Sequence, residues 1–183
     1  MIQKMEPIKI SFWKNPYGEL ILGSYQNKLC LSDWRFRKMR DAIDKRILLG
    51  LQTEFETESS DITELAKEQL SEYFAGTRKI FDIPLLLVGS DFQKHVWSEL
   101  LQIPYGKTQT YLGLSKKMNN ELAIRAVASA NGANALSIFV PCHRVIGSHG
   151  ELTGYAGGIP VKQKLLNLEG VKLNAQMSLF DFS

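Results

Sequence analysis

Of the two cysteines in this 183-residue chain, Cys30 and Cys142, the second sits in the string Pro141-Cys142-His143-Arg144-Val145. A thiol beside an imidazole can be the start of a nucleophile, because the thiolate is the reactive form and a neighbouring base can generate it. Adjacent side chains on an extended segment point opposite ways, so contact between the two needs a turn or a bridging water. Pro141 ends the short apolar run before it and presents Cys142 at a bend. Glu169, near the end of a last helix, can hydrogen-bond His143 and fix its tautomer, completing an acid, imidazole and thiol relay. Adjacency alone favours a blander reading, a buried structural cysteine, since free cysteine is among the most buried residue types.

The elements that must position this string can be read from periodicity. Ile8-Lys9-Ile10-Ser11-Phe12, Leu20-Ile21-Leu22 and Leu29-Cys30-Leu31, separated by Asn15-Pro16-Tyr17-Gly18 and Gln26-Asn27, read as a three-stranded antiparallel meander. A helix is expected over Arg35 to Leu49, then an acidic polar stretch from Gln52 to Ser60, then a helix with Asp61 as N-cap and Glu64 three residues on, closed by Gly76. Phe81 to Val88 reads as a further strand leading to a boundary at Gly89-Ser90. From Asp91, Phe92, Val96, Leu100 and Ile103 recur at helical spacing until Pro104-Tyr105-Gly106. Thr108 or Thr110 can cap a helix over Tyr111 to Met118. Asn119-Asn120 forms a turn, and Glu121 to Ala130 makes a second helix with Ala123, Val127 and Ala130 on one face. That sequence of elements suggests helix-turn-helix, although two packed helices with no ligand are its commoner meaning. A short strand, Ser137 to Val140, runs into the cysteine string. After the glycine-rich loop Gly154 to Gly158, Pro160 starts a last helix that ends at Gly170.

Composition removes several classes of function. Hydrophobic residues at 44% and charged residues at 22% fit an ordinary globular protein and exclude collagen-like, coiled-coil and wholly disordered chains. The longest apolar run, Ile83 to Val88, is too short to cross a bilayer, and Met1 to Glu6 lacks the apolar stretch of a signal peptide, so a cytoplasmic protein without membrane contact is expected. Two cysteines are too few for a disulfide scaffold or a cysteine-rich zinc site. The net charge of +3 arises entirely after residue 86: there are 13 basic and 13 acidic side chains up to that point, and nine basic against six acidic beyond it. This is a weak lean towards nucleic acid.

Pro141-Cys142-His143-Arg144-Val145-Ile146, with Phe92 to Trp97, Ile103-Pro104-Tyr105-Gly106, Arg125-Ala126-Val127 and Gly154-Tyr155, closely resembles the O6-alkylguanine-DNA alkyltransferases, also called methylated-DNA-protein-cysteine methyltransferases. The resemblance runs from about residue 60 to residue 170. It implies an α/β (α+β) fold: residues 1–89 form an N-terminal subdomain with an antiparallel sheet and flanking helices, 90–170 a mostly helical, winged-helix-like subdomain with the helix-turn-helix and all the chemistry, and 171–183 a tail. It implies DNA repair by direct reversal, without a cofactor, by a monomer. The substrate is double-stranded DNA carrying O6-alkylguanine, with O4-alkylthymine left open, and the damaged base is rotated out of the stack to be reached. Cys142 takes the alkyl group in one displacement, His143 draws off the thiol proton through a water, and Glu169 orients His143. The thioether has no easy route back, so each molecule acts once.

By the same resemblance Tyr111 donates a proton or hydrogen bond to the departing guanine. Arg125 fills the space left by the flipped base, Asn120 and Ser148 touch DNA, and Asn134 is a hinge whose amide ties the active-site loop to the segment before it. Tyr155 and the backbone around Ala156 wall the pocket, Gly157 and Gly158 permit a close turn, and the Val145 carbonyl faces the guanine amino group. The chain departs from the family at Asn131-Gly132-Ala133-Asn134-Ala135, where many bacterial members read Asn-Gly-Arg-Asn-Pro, so a basic residue near the DNA is missing. The zinc site of vertebrate members needs two Cys and two His, whereas Cys30 is the only cysteine before Cys142 and no histidine precedes His95, so no metal is expected. Cys30, His95 and His149 are read as structural. The alternative is a non-catalytic, alkyltransferase-like damage-recognition protein; such proteins usually replace the nucleophile, which Cys142 argues against. A transcription regulator would want a more basic recognition helix than one with a single Arg.

The tail lies beyond the resemblance. Its Gln176-Met177-Ser178-Leu179-Phe180 is similar to the peptide Gln-Leu-Ser/Asp-Leu-Phe by which bacterial repair proteins dock on the replication sliding clamp, with Gln176, Leu179 and Phe180 as anchors. Packing of Leu179, Phe180 and Phe182 on the protein's own surface is an equal reading.

Overall fold

The computed structural model describes residues 6–172. The meander forms as expected from β1 (Ile8–Asn15), β2 (Gly18–Tyr25) and β3 (Lys28–Trp34), paired antiparallel. Its second turn places both Gln26 and Asn27 at positive φ, 47° and 58°, the conformation that matches a two-residue hairpin to the twist of its strands. Inside the acidic stretch read as a connection lies a fourth strand, β4 (Phe55–Thr57), parallel to β1 with Ile8 opposite Phe55. The sheet is therefore mixed, in the order β3-β2-β1-β4.

Several expected elements are displaced, each for a local reason. Helix α1 spans Arg40–Leu51 and not Arg35 to Leu49, because Arg37 and Arg40 both turn back to the buried Asp33 carboxylate at 2.9 Å. Helix α2 spans Asp61–Phe74, and its N-cap is Ser60, not Asp61: the Ser60 hydroxyl accepts from the Thr63 amide and the Thr63 hydroxyl accepts from the Ser60 amide. This reciprocal pair is one residue earlier than the Asp61 and Glu64 pattern suggested. Phe81 to Val88 is not a strand. Only Leu85 faces Leu29, with the Leu29 amide donating to the Pro84 carbonyl and the Leu86 amide to the Leu29 carbonyl, and Pro84 has no N–H with which to extend a ladder. Ser137 to Val140 is likewise a tight turn and no strand, with Ile138 at φ 76° and the Val140 amide bonded to the Leu136 carbonyl at 2.8 Å.

The remaining helices are α3 (Asp91–Leu101), α4 (Tyr111–Lys117), α5 (Ile124–Gly132) and α6 (Ile159–Leu168). Thr110 caps α4 by accepting from the Gly113 amide at 2.9 Å. The second helix of the helix-turn-helix pair is broken into a 3-10 turn, Glu121–Ala123, followed by α5. Trp97 on α3 donates its indole N–H to the Ala130 carbonyl, fixing α5 against α3. A two-stranded parallel ladder joins β5 (Gln109–Thr110) to β6 (Val145–Ile146). One hydrophobic core unites Leu20, Leu22 and Leu29 of the sheet with Leu70 and Tyr73 of α2 and with Val96, Leu100, Val127, Val140 and Leu165. A second cluster under α1 holds Ile8, Ile10, Ile43, Ile47 and Cys30. The first core thus crosses Gly89. No helix among the described residues is long and apolar enough to span a membrane.

Candidate active site

The cysteine string is shaped by Asn134. Its side-chain N–H donates to the Val140 carbonyl and its side-chain oxygen accepts from the Leu136 amide, both at 2.9 Å. The loop it closes is fully enclosed and delivers Cys142 into a 3-10 turn, Cys142–Arg144, that begins immediately after Pro141. On such a turn successive side chains diverge by about a third of a revolution. Cys142 accordingly lines a cleft of about 1040 Å³, while His143 turns inward and is fully buried.

The inward side is a dense polar cluster around Glu169, the residue that ends α6. One carboxylate oxygen, Oε1, takes His143 Nε2 at 2.8 Å, the Tyr73 hydroxyl at 2.7 Å and Arg144 Nη2 at 3.0 Å. The other, Oε2, takes Arg144 Nε at 2.9 Å and the Gly106 amide at 3.0 Å. Burial opposes the ionised carboxylate, but the hydrogen bonds from His143 and Arg144 and the Arg144 charge outweigh it and hold Glu169 down at about 2. An ionised acceptor requires the proton on His143 Nε2, which leaves Nδ1 with a lone pair; Nδ1 is buried and has no hydrogen-bond partner. Burial lowers the imidazole below its ordinary value even against Glu169, so His143 is a neutral base.

Burial pushes the Cys142 thiol up, opposed by the Asn134 amide and the Lys162 ammonium. Lys162 is wholly buried, donates to the Val145 carbonyl at 2.5 Å and the Thr153 carbonyl at 2.7 Å, and is lowered by burial to about 8. Lys162, Leu165, Leu166 and Glu169 lie at i, i+3, i+4 and i+7 on the inward face of α6.

The expected residues divide into two sets. Tyr111, Arg125, Asn134, Ser148, Tyr155 and Ala156 line the same cleft as Cys142. Tyr111 opens α4, and burial raises its phenol. Arg125 is exposed near the start of α5. Tyr155 packs edge-on to Trp34 with ring centroids 6.2 Å apart, and a Cβ at Gly157 would come within 2.7 Å of the Trp34 ring, so only glycine fits there. Asn120 and Val145 are not in the cleft wall. Asn120 is exposed ahead of the 3-10 turn and caps nothing with its side chain; Val145 is buried in β6 and its carbonyl is taken by Lys162. Sequence reasoning did not identify Lys162, Tyr73, or the β3–α1 segment Phe36 to Met39, which lines the cleft from the N-terminal half. His95 and His149 lie outside the cluster. No group of three or more His, Cys, Asp or Glu side chains placed to hold a metal ion exists among the described residues.

Residues 91–171 match the family model described as 6-O-methylguanine DNA methyltransferase, DNA binding domain. A methylated-DNA-protein-cysteine methyltransferase of Methanosarcina acetivorans is 50% identical over 113 residues, 62% of this chain and 72% of that protein. The constitutive enzyme of that name from Bacillus subtilis is 41% identical over 161 residues, 86% and 93% of the two chains. The structure of Mycobacterium tuberculosis OGT in complex with DNA superposes with a TM-score of 0.76 at 38% identity, covering 94% of this chain and 99% of that one. The likeness therefore extends through the N-terminal sheet as well as the helical part, and the chain belongs to the methylated-DNA-protein-cysteine methyltransferase family.

Proposed function

We propose that this protein repairs alkylated DNA by transferring the alkyl group from O6 of guanine to its own Cys142, once per molecule. The observation that supports this best is a cleft-facing thiol backed by a buried imidazole whose Nε2 is held by Glu169 at 2.8 Å and whose Nδ1 is free. The guanine is rotated from the duplex into the cleft, with Arg125 entering the stack behind it and Ser148 and Asn120 holding the flanking DNA. The Cys142 proton passes through a water to His143 Nδ1, since the two groups share no direct hydrogen bond. The sulfur lone pair forms the carbon–sulfur bond as the carbon–O6 bond breaks. The electron pair moves into the guanine ring, where Tyr111 donates a proton or hydrogen bond to it. Asn134 and Lys162 keep the loop around the thiol in place, while Tyr155 and the backbone at Ala156 bound the base.

Residues 1–89 and 90–170 are taken as N-terminal and DNA-handling portions of one cytoplasmic monomer. The tail carrying Gln176, Leu179 and Phe180 lies outside the described residues; from its sequence we propose that it docks on a replication sliding clamp, to be tested by binding of a peptide of residues 171–183 to a purified clamp. The transfer itself is tested by mixing the protein with excess duplex containing O6-methylguanine. Repair that halts at one lesion per protein molecule is expected; continued turnover would overturn the self-alkylation.

A further inference from the structure

Tyr73 belongs to α2, outside the matched DNA-binding domain, yet its hydroxyl reaches the centre of the polar cluster. It is fully buried, donates to Glu169 Oε1 at 2.7 Å and lies 3.5 Å from His143 Nε2. Its ring is held by Phe74, Phe81 and Tyr105, with centroids 5.6, 5.5 and 6.1 Å away. A buried phenol needs an acceptor, but this one shares the oxygen that holds the imidazole. A carboxylate offers about four lone-pair sites, and five donors already converge on Glu169. Every donor on Oε1 therefore draws charge away from the bond to His143. Burial, and then the neighbouring carboxylate, keep Tyr73 protonated and a donor at any working pH.

We infer that Tyr73 is a positioning residue for the transfer, which orients Glu169 and limits how tightly that carboxylate holds the His143 proton. The inference rests on the reading of Cys142, His143 and Glu169 as the transfer relay. With the hydroxyl removed, Oε1 concentrates its charge on Nε2–H, the imidazolium is favoured, and Nδ1 is a free base only at higher pH. The other charged or titratable groups around His143 are Arg144 on its own turn, Lys162 on α6, Cys142 and Tyr155; a substitution at Tyr73 removes none of them, and Arg144 Nη2 remains on Oε1.

The test is the single-turnover rate of methyl transfer from an O6-methylguanine duplex, followed across pH 5 to 8. It uses wild type, Tyr73→Phe, His143→Gln, and a protein with 3,5-difluorotyrosine at position 73. In Y73F the acid limb moves up by about one pH unit, while affinity for the duplex stays within twofold. Difluorotyrosine keeps the ring and donates more strongly, so its limb moves the other way, and this arm stands even if Y73F folds poorly. A purely structural tyrosine would shift neither limb. Unchanged profiles in both Tyr73 proteins, with H143Q slowed a hundredfold or more, would overturn the role of Tyr73 and leave the relay standing. Wild-type rates in H143Q would overturn the relay and the inference together.

Discussion

Glu169 makes acid the natural probe of the site at the scale of single residues. Its folded value of about 2, against an ordinary 4.5, means that the folded state gains from the ionised carboxylate. About 3 kcal/mol of stability is present in full above pH 4.5 and is lost as pH falls towards 2. Urea unfolding at several pH values checks this: the acid loss should flatten in Glu169→Gln, and an unchanged slope would contradict it. His143 adds a kinetic signature. Because burial lowers the imidazole below 6.5, transfer should hold its rate down through pH 6.5 and fall only below it. A rate already halved above 6.5 would show a solvated base. Cys142, His143 and Glu169 were legible because their types and the surrounding string are specific. Lys162 and Tyr73 were not singled out: an amphipathic stripe does not say which of its polar members will be buried, and nothing local to α2 announces that a tyrosine will meet a glutamate 96 residues on.

At the scale of elements, α5 and the loop after β6 both line the cleft, the first through Arg125 and the second through Ser148. If Arg125 acts on the DNA and not on the thiol, R125A should slow transfer from a duplex tenfold or more and leave transfer from free O6-benzylguanine unchanged. Equal losses on both substrates would place the arginine in the chemistry. The helices around this cleft were readable because Thr110, Pro160 and Gly170 punctuate them. The elements that were misplaced answer to different constraints, one distant and two local. β4 exists because β1 offers an edge, α1 starts late because Arg37 and Arg40 are drawn to Asp33, and 81–88 stays extended without a ladder because Pro84 has no donor to give.

Across the whole molecule the two portions share a core and also a charged seam. Asp33 is buried and accepts from Arg37, Arg40, the Ser137 hydroxyl and the Trp34 amide. Arg37 continues to the Gly132 and Asn134 carbonyls, and Arg46 to the Val88 and Ala133 carbonyls. The N-terminal sheet therefore grips the segment that carries the Asn134 staple. Removing one charge from a buried pair costs about 3–5 kcal/mol, so Asp33→Asn should lower the urea midpoint accordingly. Unfolding should remain one transition by tryptophan fluorescence and by circular dichroism; two separated transitions would contradict a shared core. The most direct test of the central claim is the intact mass of the protein after reaction with a duplex bearing one O6-methylguanine, followed by peptide mapping. A gain of about 14 Da per molecule, located on the peptide containing Cys142, absent from Cys30 and abolished in Cys142→Ala, is the result expected. Tight binding to the damaged duplex with no gain in mass, or a gain that persists in the variant, would contradict the account.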